Sequence, residues 1–294
     1  MSRPVTVGLD GSRESLAAAE WAAREAELRE LPLRLVNVWT PVPERVVQAP
    51  LLGPETLRHW SERIPRDAAG ALRRRHPGLE VSIEQLVGRP GETLAAASKE
   101  CELLVLGSRG LSGIGGFLVG SVAQAVVARA EVPVVLVRAG QDTADEPGTA
   151  ATGARPVVLG LDADSPHDAV IGFAFEEAAR RATGLRVVHG WSLPPYYPYG
   201  LANDPGMFAE LGRQDAVAVA GVVEPWKQKF PQVEVTEESR GGSAAIHLVD
   251  ASRDASLVVV GRRIRRNPFG IHIGSVTHAV LHHASAPVAV VAHD

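Results

Sequence analysis

Residues 107–121 read Gly107-Ser108-Arg109-Gly110-Leu111-Ser112-Gly113-Ile114-Gly115-Gly116-Phe117-Leu118-Val119-Gly120-Ser121. An apolar run, Leu103-Leu104-Val105-Leu106, leads into this stretch, and a helix-forming run from Val122 leads out of it. Five glycines fall between Gly107 and Gly116, and a residue without a Cβ lets backbone amides approach a ligand closely. Gly120 and Ser121 stand where the helix begins, and the unpaired amides and dipole of a helix start favour an anion. Local composition leaves two readings open: a phosphate cradle between strand and helix, or a glycine-rich turn without a ligand.

Outward from this stretch, apolar runs alternate with helix-forming runs. Val5 to Leu9 reads as a buried strand that ends in an acid, Asp10, before a Gly11-Ser12 turn and helix cap. Glu14 to Glu30 is rich in Ala, Glu, Arg and Leu, with Ala17, Trp21 and Leu28 on one side. Leu33 to Trp39 is a second strand, and the four prolines between Thr40 and Pro54 make a loop. A helix over 55–76, a strand over 81–87, a helix over 92–100, a strand over 103–106, a helix over 121–130 and a strand over 132–137 follow. Near-continuous apolar strands alternating with helices predict a parallel sheet covered on both faces.

The pattern then repeats. Pro156 to Asp162 matches Pro4 to Asp10, and Leu185 to Trp191 matches Leu33 to Trp39, both at an offset of 152 residues. Gly242 matches Gly88, Gly274-Ser275 matches Gly120-Ser121 and Pro287-Val288 matches Pro133-Val134, at an offset of 154. A register held over the whole length indicates a tandem duplication. The expected organisation is a domain over 1–139, a linker over 140–155 and a second domain over 156–294, each of ordinary size.

Composition limits the function classes. The chain has a 45% apolar fraction and a 22% charged fraction, values of a soluble globular protein. A net charge of −4 disfavours a dedicated nucleic-acid surface. One cysteine, Cys101, rules out an intrachain disulfide and a cysteine-rich zinc site and fits a reducing compartment. The N-terminus has no signal-peptide pattern, and no apolar run approaches the roughly 20 residues that span a bilayer. The expected location is the cytoplasm, with no membrane partner.

In a parallel sheet with right-handed crossovers, all strand C-termini share one edge, and ligands bind there where strand order reverses. If the first and fourth strands are neighbours, Asp10 and Gly107 flank one crevice. A carboxylate suits the sugar or base of a nucleotide and backbone amides suit its phosphates. Asp10 has a plain alternative role, as a turn-forming or helix-capping acid, and so does its repeat Asp162. There is no G-x4-G-K-[S/T] phosphate loop and no G-x-G-x-x-G after the first strand.

Gly107-x2-Gly110-x9-Gly120-Ser121 resembles the G-x2-G-x9-G-[S/T] pattern of the nucleotide-binding universal stress proteins. Val7 to Ser12 is similar to that family's opening strand and Pro133 to Val137 to its closing one, and the whole resembles its actinobacterial tandem form. The resemblance implies two Rossmann-like, nucleotide-binding α-hydrolase-like domains, each an α/β five-stranded parallel sheet of order 3-2-1-4-5 with helices on both faces. It implies an adenine nucleotide as ligand, ATP first, alone or with magnesium. Asp10 would lie near adenine and ribose, and Val38 would offer backbone hydrogen bonds to adenine. Gly107 and Gly110 would approach ribose and phosphates, and Gly120, Ser121 and the Val122 amide would hold the outer phosphates. Arg109, inside the loop, is a further phosphate neighbour or a solvated side chain. Family members pair through their fifth strands, so Val132–Val137 and Pro287–Val291 could pair within one chain as a pseudo-dimer; a further homodimer of tandem chains is expected beside it, with a regulatory protein partner that the sequence does not name.

The second copy reads Gly261-Arg262-Arg263-Ile264-Arg265-Arg266 and ends in Gly274-Ser275. Asp162 and the outer glycines keep their places, but Ile264 replaces the inner glycine, and a β-branched residue disfavours positive φ and close approach. Either the site loses nucleotide affinity, or arginines such as Arg262 replace backbone contacts with guanidinium contacts to phosphate. His278 and His282 share a helix face at metal-ligand spacing without a cysteine or local acid beside them, and Tyr196, Tyr197 and Tyr199 crowd one proline-rich loop. The chain offers no nucleophile–base pair and no acidic metal cluster near the glycine loop. The expected function is therefore ATP binding, mainly in the first domain, by a stress-response regulator or sensor. A slow ATP hydrolase and a non-binding scaffold are the alternatives.

Overall fold

The structure is a computed structural model and describes residues 2–40, 54–108, 119–140, 155–192, 205–264 and 273–294, without the side chains of 54–61, 205 and 207. The chain forms two compact units, one of residues 1–149 with 264–273 and one of residues 150–263 with 274–294.

In the first unit the strands are β1 (Val5–Leu9), β2 (Leu33–Trp39), β3 (Val81–Val87), β4 (Leu103–Ser108) and β5 (Val134–Arg138), and the helices are α1 (Arg13–Leu28), α2 (Pro54–Arg75), α3 (Pro90–Ala97) and α4 (Ser121–Arg129). The strands are parallel in the order β3-β2-β1-β4-β5. Order reverses between β1 and β4, which pair from Val5↔Leu103 to Val7↔Val105. Helix α1 packs with α2, and α3 with α4. The two helix pairs lie on opposite faces: at Gly8 a Cβ would point at Leu94 of α3, and at Gly107 a Cβ would meet the α1 backbone. All of β1 and β5 is buried, as continuous apolar strands between two helical layers require.

The second unit repeats the plan with β6 (Val157–Gly160), β7 (Leu185–Trp191), β8 (Val235–Gly241), β9 (Leu257–Arg263) and β10 (Val288–His293) in the order β8-β7-β6-β9-β10, all parallel. Its helices are α5 (Asp168–Arg180), α6 (Pro205–Lys229), α7 (Ala244–Ala251) and α8 (Ser275–His283). The α/β class and the 3-2-1-4-5 order expected for each copy are present in both.

Three local features refine the reading. Leu28 is exposed, and the buried face of α1 is made of alanines, among them Ala18, Ala22 and Ala26. Small side chains there let the helix lie close to the sheet. Pro65 stands inside α2 without ending it. Strand β4 runs to Ser108 instead of Leu106, so Gly107 belongs to the sheet. The reason is packing: a Cβ at Gly107 would lie 2.6 Å from the carbonyl carbon of Glu14. That glycine lets the first turn of α1 settle onto β4.

A buried ion pair ties the first helix of each unit, α1 and α5, down at its far end. Glu25, fully buried, pairs with Arg29 at 2.5 Å, and its repeat Glu177 pairs with Arg181 and Arg180. A buried carboxylate is tolerated only with such partners. Just past each pair the chain turns through a left-handed residue, Glu30 at φ 55° and Ala182 at φ 48°.

Candidate functional site

At the edge where strand order reverses, the first unit holds a cavity of about 460 Å³. Its wall takes Gly8, Leu9 and Asp10 from the end of β1, Asn37 and Val38 from β2, Gly107 from β4 and Gly120 to Ala123 from the start of α4. Ile64 of α2 and Leu94 of α3 close it from the two faces. The geometry follows from strand lengths. β1 stops at Leu9, opposite Asn37, whereas β2 continues to Trp39. Val38 therefore borders the gap beyond the end of β1.

Asp10 performs the structural role that the sequence left open. Its Oδ1 accepts from the Ser12 amide at 2.9 Å and from the Ser12 hydroxyl at 2.5 Å, and Ser12 in turn caps α1 by accepting from the Ser15 amide at 3.2 Å. This Asx-type turn fixes the carboxylate at the crevice rim, where it is exposed. Asn37, missed in the sequence reading, is buried and donates from Nδ2 to the Leu9 carbonyl at 2.8 Å, while its Oδ1 has no partner. The signal was available: a polar residue inside an otherwise apolar strand, repeated as His189, whose Nδ1 lies 2.8 Å from the Leu161 carbonyl.

The opposite wall is the start of α4. Gly120 is its N-cap, and among the described residues no side chain caps it, so its first amides face the cavity without an acceptor from them. A Cβ at Gly120 would meet none of the described residues within 4 Å. Of the residues expected at the site, Asp10, Val38, Gly107, Gly120, Ser121 and Val122 are brought to one cavity. Arg109 and Gly110 lie outside the described residues.

The second unit holds a smaller cavity, about 360 Å³, at the equivalent edge. Asp162 and Gly261 line it, and the Ser165 amide donates to Asp162 Oδ1 at 3.2 Å. Two expectations are corrected here. Arg262 is a buried residue within β9 and does not line the cavity. Gly274 and Ser275 start α8, but the lining begins at Val276 and Thr277. At the position of Val38 stands Gly190, where a Cβ would come within 2.5 Å of Ala244 Cα, so α7 closes over the end of β7. Ile264 does not line the cavity either.

A second difference begins with Pro166, which occupies the place of Glu14. Helix α1 starts at Arg13, but α5 starts at Asp168, three residues later in register. Proline disfavours helical geometry in the residue before it, so the first turn is lost. The space over Gly261 is filled instead by the His293 imidazole, whose Nε2 and Cδ2 would lie 3.0 Å from a Cβ at that glycine. His293 stacks on His167 with centroids 3.6 Å apart. Neither histidine was singled out in the sequence; their counterparts are Ser15 and Ala139, so the repeat register alone could have flagged them.

The helical pair His278 and His282 stack at 4.3 Å, and among the described residues no group of three histidines, cysteines or acids gathers to hold a metal. His272 and the tyrosines 196, 197 and 199 lie outside the described residues. No helix among the described residues is long and apolar enough to cross a membrane.

A family model described as the universal stress protein family matches residues 1–138 and 153–292. Universal stress proteins of Mycobacterium tuberculosis and Mycobacterium bovis are each 33% identical to the chain over 99% of both sequences. One from Mycolicibacterium smegmatis is 33% identical over 98% of this chain and 96% of its own. A solved universal stress protein from Archaeoglobus fulgidus has the same fold, with a TM-score of 0.68 at 15% identity, covering 99% of this chain and 98% of that one.

Proposed function

The chain belongs to the universal stress protein family, and from that premise we propose that its first unit binds an adenine nucleotide, ATP foremost, and that the protein acts as a ligand-responsive regulator of the stress response. The observation that carries this reading is the cavity between the ends of β1 and β2 and the uncapped start of α4. One end is apolar and strand-lined, with Val38 beside the gap, and suits a base. The other presents helix-start amides, and suits phosphates. Asp10 stands between them at sugar height.

Binding rather than catalysis suits the residues present. Asp10 and Glu14 are the acids that line the crevice; Asp10 is engaged in holding the β1–α1 turn, and Glu14 stands in the first turn of α1. Phosphoryl transfer needs a positioned attacker and charge stabilisation. Magnesium, where present, would travel with the phosphates. The lone buried Cys101 suits a reducing, cytoplasmic setting, and the protein would act as a homodimer of tandem chains through a protein partner.

Gly120→Glu tests the site. Open space at this position means the fold accepts a side chain, and the added carboxylate would repel phosphate at the helix start. Calorimetric titration with ATP is expected to show binding by the wild type and at least a roughly 10-fold loss in the variant, equivalent to about 1.4 kcal/mol. Equal affinities would remove the phosphate site from the start of α4.

A further inference from the structure

The second crevice keeps the start of α8 at one wall, through Val276 and Thr277. It differs from the first at the opposite wall. The wall formed in the first unit by the opening turn of α1 is formed here by side chains. Pro166 unwinds the turn, His293 covers Gly261, and His167 stacks on His293 at 3.6 Å. From β9, Arg263 Nη2 donates to Ser165 Oγ at 3.2 Å, and His167 Nε2 lies 3.4 Å from the same oxygen. Arg263 and His167 thus meet at one hydroxyl, and His293 stacks on the far side of His167; Ser165, His167 and His293 line the cavity, with Arg263 exposed beside them.

We infer that Ser165, His167, Arg263 and His293 form an oxyanion subsite at the α5 end of the second crevice, one that takes a phosphate group together with a proton. The chemistry is distinct from that proposed for the first unit, where backbone amides at a helix start would meet the phosphates and no titratable base is involved. Here the donors are two imidazoles, a guanidinium and a hydroxyl, and guanidinium is the side chain best matched to phosphate.

Proton coupling follows from the stack. Two imidazolium rings 3.6 Å apart repel, so the empty site disfavours full protonation. Burial holds the His293 imidazole below its ordinary value, and His167, Arg263 and Arg262 add to this, against the Asp294 carbonyl, to which its Nδ1 is hydrogen-bonded. The other charges at this wall are the carboxylates of Asp162 and Asp164 after β6, both exposed at the rim, and Asp168 at the start of α5. Bringing two negative charges of phosphate between the rings and Arg263 reverses the balance. The charged imidazoles become favoured, and binding draws protons from solution. Affinity is therefore greatest below the ordinary histidine range and falls as pH rises.

The inference stands whether or not the first crevice takes nucleotide, because the readout belongs to His167 and His293 themselves. The imidazole C–H resonances of the full-length protein, assigned with His167→Ser and His293→Ala, are followed by NMR against pH with inorganic phosphate, with ATP, and with sodium chloride at matched ionic strength. Phosphate or ATP is expected to move the His293 ring resonances toward the charged form at a given pH, raising its apparent pKa, with the His167 resonances shifting on binding. Arg263→Met, at an exposed position, is expected to abolish the shift while leaving the spectrum folded. A response to ATP alone assigns the subsite to a nucleotide phosphate, and a response to both assigns it to phosphate in general. Unmoved ring resonances, or the same movement in sodium chloride, overturn the inference.

Discussion

At the scale of single residues, the two glycines that bracket the opening motif serve different ends. Gly107 is required by the protein itself, because a Cβ there would run into the Glu14 backbone at 2.6 Å. Gly120 is not, because its surroundings are open. Gly107→Ala is expected to lower unfolding free energy by roughly 1–3 kcal/mol, the cost of overpacking. Gly120→Ala is expected to change it by no more than about 1 kcal/mol, the scale of a lost helix cap. Chemical denaturation of the two variants checks the contrast, and equal losses would contradict it. Cys101 makes a second case. It is fully buried and its thiol donates to the Ser98 carbonyl at 3.1 Å. Burial pushes its pKa up to about 11, so the reactive thiolate is scarce at neutral pH. Thiol reagents are expected to label it only as fast as the protein opens; rapid labelling of the folded protein at pH 7.5 would contradict the burial.

At the scale of elements, the first helix of each unit ends on a left-handed residue, Glu30 after α1 and Ala182 after α5. Left-handed geometry costs a residue with a Cβ about 1–2 kcal/mol, and glycine's extra freedom in the unfolded chain takes back about 0.4–1 kcal/mol. Ala182→Gly is therefore expected to raise stability by roughly 0.5–1 kcal/mol in denaturant melts; a loss would show that the turn carries no strain. Strand and helix alternation was legible in the sequence because apolar runs bounded by glycine and proline leave few choices. The duplicated register was legible because it needs only self-comparison. Where the reading failed, tertiary contact had decided. Leu28 has the polarity of a core residue, yet α1 buries alanines to approach the sheet. Gly107 looked like loop because its reason for being glycine sits ninety-odd residues away, at Glu14. Arg262 and Gly274-Ser275 keep the motif's spacing, but the crevice is lined by Gly261 and, from α8, by the next two residues, Val276 and Thr277. The His167–His293 stack joins the beginning of one helix to the last strand of its unit, and no local pattern announces such a pair.

At the scale of the whole molecule, the two copies share an architecture, and the readings proposed above give them different binding chemistries. On those readings, ATP at pH 8 occupies the first crevice alone, and ligand at 100 times its dissociation constant adds about 2.7 kcal/mol to whatever it binds. Scanning calorimetry at pH 8 is expected to show one ligand-sensitive component of unfolding and one that ATP leaves in place. At pH 6 both are expected to respond. Movement of both components at pH 8 would mean the second crevice takes nucleotide as the first does.

The buried pairs Glu25–Arg29 and Glu177–Arg181 sit at the helix ends remote from either crevice, and both copies keep them. Their position separates what holds the domain together from what it recognises. After the duplication, one rim could accumulate a proline, lose a helical turn and recruit histidines from another strand without loosening the anchorage beneath. A doubled gene with its moorings on the far side has, in effect, a spare face on which natural selection can experiment while the original goes on working.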